Sequence, residues 1–127
     1  AQPDLTVAFS SNVATPSPAG IVEYSILVSN AGAARAINIE LSASTSRFTG
    51  LKMDTYPGGE PFLLTPGGVG PEVALGIPTY TEDEGTDAYT YTPVGPVDSN
   101  VTDFRIPLTG KMPSAATFTV RYQIVVE

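Results

Sequence analysis

Hydrophobic and polar residues alternate two by two along much of this chain. Leu5, Val7 and Phe9 are set against Asp4, Thr6 and Ala8, so a strand is expected almost from the first residue. After a Pro/Ser/Gly connection, Val22, Tyr24, Ile26 and Val28 alternate with Glu23, Ser25 and Ser29, the period of a half-buried strand. A turn at Asn30 to Ala33 leads to Ile37, Ile39 and Leu41, expected on one face of a further strand that either pairs with its predecessor or crosses to another sheet. The clearest run is the last: Phe118, Val120, Tyr122, Ile124 and Val126 face one way, and Thr117, Thr119, Arg121 and Gln123 the other.

The middle is less regular. Phe48, Leu51, Met53 and Tyr56 suggest one strand, and two Pro-Gly-Gly triplets, read as turns, bracket the apolar patch from Phe62 to Leu64. EVALGIPTYT and DAYTYTP read as strands on either side of an acidic loop, and Phe104, Ile106 and Leu108 as a strand ending at a Gly110-Lys111 turn. The total is about eight to ten strands. Twelve prolines and twelve glycines, spread over the whole length, leave no window for a long helix. With 127 residues the expectation is a single domain, 1–127, folded as an antiparallel β-sandwich.

Composition narrows the function classes. Hydrophobic residues make up 42% and charged residues 15%, so the chain folds, and its surface is built from Ser, Thr, Asn and Gly. A net charge of -7 with only six Lys and Arg argues against nucleic acid as a partner. Without cysteine there are no disulfides and no thiolate metal sites, and without histidine there is no Ser-His-Asp or Cys-His nucleophile system. No enzyme activity and no bound cofactor are therefore expected. No segment is long and apolar enough to be a transmembrane helix, and an Ala-Gln start without Met suggests the product side of a signal-peptidase cut, hence a secreted, cell-surface protein.

The words Val22-x-Tyr24-x-Ile26-x-Val28-x-Asn30-x-Gly32, then Ala36 and Asn38-Ile39, resemble the Ig-like conserved-repeat domain of bacterial and archaeal exported surface proteins. DAYTYTPVGPVDSNVTDFRIPLTGKM and TFTVRYQIVVE are similar to the ends of small single-domain members. The resemblance implies an Ig-like sandwich serving as a stalk, spacer or assembly unit, and says nothing of mechanism.

Three features are candidates for specific chemistry. Glu82, Asp83, Glu84 and Asp87 offer hard oxygen ligands to Ca²⁺, but without the order of an EF-hand they read first as a solvated charged loop. Tyr80, Tyr89 and Tyr91 would form a sugar-stacking platform if one face carried them, and otherwise pack in the core. Asn100-Val101-Thr102 meets the N-glycosylation pattern. The leading expectation is a structural subunit of an extracellular filament or surface assembly, a homopolymer in which residues 1–10 are donated to the next copy and Leu5, Val7 and Phe9 fill its pockets. The alternative is a monomeric adhesin or carbohydrate-binding module, with calcium in the acidic loop.

Overall fold

Two antiparallel sheets face each other, and the C-terminal strands form the spine of both. The computed structural model describes residues 4–11, 20–45, 49–54, 56, 60–67, 72–82 and 89–126. Its strands are β1 (Leu5–Ser11), β2 (Ile21–Asn30), β3 (Ala36–Ile37), β4 (Glu40–Ser44), β5 (Thr49–Lys52), β6 (Phe62–Pro66), β7 (Glu72–Leu75), β8 (Thr79–Thr81), β9 (Val97–Asp98), β10 (Asp103–Met112) and β11 (Thr117–Val126). Among the described residues there is no helix, and so none that could cross a membrane. The expectation of an all-β sandwich of antiparallel sheets holds.

The larger sheet runs β1-β2-β11 and then divides: β6 lies beside residues 118–122 of β11, while β5, followed by β9, lies beside residues 124–126. The smaller sheet is built around β10 alone. β3 and β4 lie end to end on one side, joined to it by the Leu108 amide donating to the Ile39 carbonyl (2.8 Å), and β7 and β8 lie on the other, where the Gly76 amide donates to the Pro107 carbonyl (2.7 Å). The run 22–28 and the run 37–41 thus fall in different sheets, the crossing arrangement of the two left open by the pattern.

The core forms where the alternations meet. Val22, Ile26 and Val28 of β2 and Phe118, Val120, Tyr122 and Ile124 of β11 face Phe104, Ile106, Leu108 and Met112 of β10, all buried. The Phe104 ring lies 5.0 Å from Tyr122 and 4.8 Å from Phe62, edge-on or tilted, so that the two sheets interlock through aromatic packing.

Three local expectations are corrected. Ile37 does not share a face with Ile39 and Leu41: Asn38 takes a positive φ of 55°, the strand breaks there, and Ala36 turns inward while Ile37 turns out to solvent. Gly110-Lys111 is not a turn. β10 continues through it to Met112, Gly110 taking a φ of 90° inside the strand, and Met112 enters the core on the same alternation as Phe104, Ile106 and Leu108. Residues 89–93 form no strand, only an isolated bridge between Tyr91 and Tyr80. The apolar patch at 62–64 is part of strand β6, and β5 carries Leu51 into the core, with Met53 beyond the strand in a turn. Phe48 and the triplet Pro57 to Gly59 lie outside the described residues.

Candidate functional site

β1 is the outer strand of the larger sheet, paired with β2 of its own chain over all seven residues, from Leu5 opposite Asn30 to Ser11 opposite Tyr24. Leu5, Val7 and Phe9 are opposite Asn30, Val28 and Ile26, so the three point to the inner face, as their alternation requires. They are nonetheless 39%, 61% and 54% exposed, because the smaller sheet is only three strands wide and does not reach over β1. Phe9 leans inward against Tyr24 (ring centroids 5.1 Å apart) and touches the edge of the buried cluster at Tyr122 (6.4 Å).

Among the described residues, no strand pairs with the outer side of these three residues. The Ala31 amide donates to the Asp4 carbonyl (2.8 Å), which in an antiparallel ladder sends the backbone groups of Asp4, Thr6, Ala8 and Ser10 toward β2. Those of Leu5, Val7 and Phe9 therefore point to the free edge. Leu5–Ser11 contains no charge, no proline and no bulge, the devices by which edge strands avoid pairing with other chains.

One residue fastens this strand to the rest of the fold. Asn30 is 1% exposed; its carboxamide oxygen accepts from the amides of Asp4 (3.2 Å) and Gly32 (3.1 Å). Its amide nitrogen donates to the carbonyls of Ala34 (2.8 Å), Met112 (3.1 Å) and Pro113 (3.3 Å). The start of β1, the turn after β2 and the connection from β10 to β11 thus meet on one side chain. The sequence marks Asn30 only as the head of a turn; the Asx-type bond to Gly32 is the part of its role visible there.

At the other end of the fold, Asp98 is buried. Its carboxylate accepts from the Tyr91 hydroxyl (2.7 Å) and from the amides of Val94 (2.8 Å) and Asn100 (2.8 Å). Burial pushes the Asp98 carboxyl upward, but the bonds from Tyr91, Val94, Asn100 and Val101 outweigh it and hold the pKa below the ordinary carboxylate value. The same bond from Tyr91 raises the tyrosine's pKa. A carboxyl with a depressed native pKa stabilises the fold above its unfolded pKa of about 3.9 and ceases to do so as pH falls through the native value. Asp98→Asn is therefore expected to lose about 2–3 kcal/mol of stability at pH 7, since it turns a donor toward other donors, and the gap to wild type closes below pH ~4. Urea unfolding at the two pH values reads this directly.

The three tyrosines come together. Tyr80, Tyr89 and Tyr91, with Thr79, Thr90 and Thr92 and flanked by Pro78 and Pro93, line a shallow groove of about 270 Å³. Tyr80 is buried, which together with Glu60 raises its pKa to about 12, and the Arg105 guanidinium lies 3.9 Å from the Tyr89 ring centre. Of the four acidic residues in the candidate calcium loop, Glu82 is exposed just after β8, and Asp83, Glu84 and Asp87 lie outside the described residues. Asn100 is exposed in the turn after β9, its amide held by Asp98.

Together these features define an all-β, antiparallel sandwich with an unprotected apolar edge strand. No family model, curated protein or solved structure matches the chain.

Proposed function

We propose that this chain is a secreted structural subunit of an extracellular filament or cell-surface assembly, an Ig-like sandwich whose copies join through donation of the N-terminal strand. The observation that carries this reading is β1: all seven residues are exposed, and among the described residues strand pairing ties it to β2 alone. β1 pairs with its own β2, so donation takes the form of exchange, in which the strand of one copy takes the same place on the next and every ladder bond is conserved. Residues 12–20, which include Pro16 and Pro18, join the two strands. A hairpin needs only about two to five residues, whereas a segment of this length can span roughly 30–32 Å when extended, enough to carry β1 to a neighbour. Repeated head to tail, exchange builds an open fibre.

Deleting residues 1–10 is expected to abolish polymers in electron microscopy and light scattering while leaving a soluble β-sheet protein; polymers that persist unchanged defeat the reading.

A second reading, a monomeric carbohydrate-binding or adhesive module, is favoured by the convergence of Tyr80, Tyr89 and Tyr91 on one groove. The two separate on the same variant. Removal of residues 1–10 leaves the groove's residues in place, so an adhesin keeps its ligand and a strand-donating subunit loses its function.

A further inference from the structure

The larger sheet has a second open edge, at β6, and it lies on the side opposite β1. The Gly67 amide donates to the Thr117 carbonyl (2.8 Å), so Thr65 and Leu63 direct their backbone groups to β11, and those of Phe62 and Leu64 point outward. Among the described residues no strand pairs with that edge. Beside it, Phe62 and the segment from Leu75 to Pro78 that joins β7 to β8 line, with Glu60, a cleft of about 550 Å³, and Ile77 stands 85% exposed at its mouth. Among the described residues, one edge of the sandwich therefore has an inner apolar stripe with no strand of the smaller sheet over it, and the other has apolar side chains at Leu75 and Ile77 with no strand of the larger sheet beneath them.

Resting on the reading of this chain as a self-assembling subunit, we propose that a second copy occupies this cleft, the open edge of β1 in one copy pairing with that of β6 in the next, Val7 opposite Leu64. The larger sheet then runs on from copy to copy. Two features of the ladder agree with this pairing. Within a chain β1 is antiparallel to β6, because each of the three steps β1-β2-β11-β6 is antiparallel, so copies related by a translation across the sheet meet in the antiparallel sense. The residues whose backbone groups point outward are Leu5, Val7 and Phe9 on one side and Phe62 and Leu64 on the other. These are also the inner-face residues of their strands, so the pairs Val7 with Leu64 and Phe9 with Phe62 keep side chains on one common face. Pro66, the third outward residue of β6, falls opposite Leu5; its carbonyl can accept from the Leu5 amide, but it has no amide hydrogen for the Leu5 carbonyl, so two-way pairing is confined to the other two pairs. The stripe of β1 then lies over Leu75 and Ile77, and the contact is the same whether β1 has stayed on its own β2 or been exchanged.

The absence of native cysteine allows a direct test. In one chain Val7 and Leu64 are separated by three strand spacings, roughly 14 Å, beyond the ~7 Å that a disulfide bridges. The double variant Val7→Cys/Leu64→Cys, oxidised after assembly, is expected to give a ladder of covalent multimers on a non-reducing gel, collapsed by reductant. The pair Val7→Cys/Val28→Cys reports separately on exchange: multimers if β1 is donated, closed monomers if it stays home. Multimers from the Val28 pair without any from the Leu64 pair overturn the β6 contact and leave donation standing. The reverse result upholds the β6 contact and removes donation by exchange. Dimers from Val7→Cys alone would show β1 pairing with β1, and monomers throughout would show no self-assembly; either overturns the proposal. As a variant that spares the fold, Ile77→Asp is expected to raise the concentration needed for assembly about tenfold with an unchanged monomer melting curve; unaltered assembly counts against the cleft.

Discussion

Replacing Asn30 by Asp is expected to lower stability at pH 7 by about 4 kcal/mol, a large share of the 5–15 kcal/mol typical of a small domain. The asparagine works because it is donor and acceptor at once: its nitrogen meets three carbonyl oxygens, and its oxygen meets two amides. An aspartate keeps the acceptor side and turns a charged oxygen toward the carbonyls of Ala34, Met112 and Pro113, with no room for water at a site 1% exposed. Its native pKa must therefore rise above the unfolded value. A group of that kind destabilises the native state progressively as pH rises through its unfolded pKa, so the variant recovers in part below pH ~4, where the protonated carboxyl donates one bond. Wild type has no titrating group at this position. Urea unfolding from pH 3 to 8 gives the comparison, and an Asp variant as stable as wild type at neutral pH removes Asn30 from its central role.

Tyr122→Ala is the other change with a large expected effect, about 3–5 kcal/mol. The ring is 1% exposed, and its centroid lies 5.4 Å from Tyr24, 5.0 Å from Phe104, 6.2 Å from Phe62 and 6.4 Å from Phe9. Removal opens a cavity between the sheets and takes away the inner support of Phe9, the aromatic contact by which β1 reaches the core. Hydrogen exchange is expected to show the Thr6, Ala8 and Ser10 amides, those directed to β2, losing protection well before the amides of β11. Tyr122→Phe keeps the ring and is expected to cost about 1 kcal/mol. If truncation to Ala leaves β1 as protected as before, the strand is held by its ladder alone.

The sequence was most legible where one strand lies between two others. β11 is paired on both sides along most of its length, its inward residues are all large and apolar, and a period of two captures it. β2 is legible for the same reason. Legibility failed where a single backbone angle decides a strand's face or its end: nothing in the run Ala36 to Leu41 announces that Asn38 takes a positive φ, nor in Leu108 to Met112 that Gly110 does so without ending the strand. At 89–93 the alternation is present, but only Tyr91 finds a bridge, to Tyr80, and the segment is held by side chains on Asp98 and Arg105 instead. Of the candidate residues, Leu5, Val7 and Phe9 were readable as a stripe. That the stripe overhangs the opposing sheet follows from sheet widths, which no local pattern encodes. Asn30, expected at the head of a turn, is the last residue of β2, and its weight is invisible in the sequence because a main partner is remote: Met112 lies 82 residues away.

The position of β10 and β11 in chain order governs when this fold can form. Among the described residues all four other strands of the smaller sheet pair with β10 and none with another, and of the strands that precede β11 in the larger sheet β1 and β2 can pair without it, as can β5 and β9 over two residues, while β6 awaits it. On a growing chain, residues up to about 100 can thus make little more than the β1-β2 pairing and the two-residue contact of β5 with β9, and the sandwich closes in a late, cooperative step dominated by contacts distant in sequence. During that interval the outer edge of Leu5–Ser11, uncharged and free of proline, is carried by the β1-β2 pairing alone, before the sandwich that packs Phe9 against Tyr122 has closed.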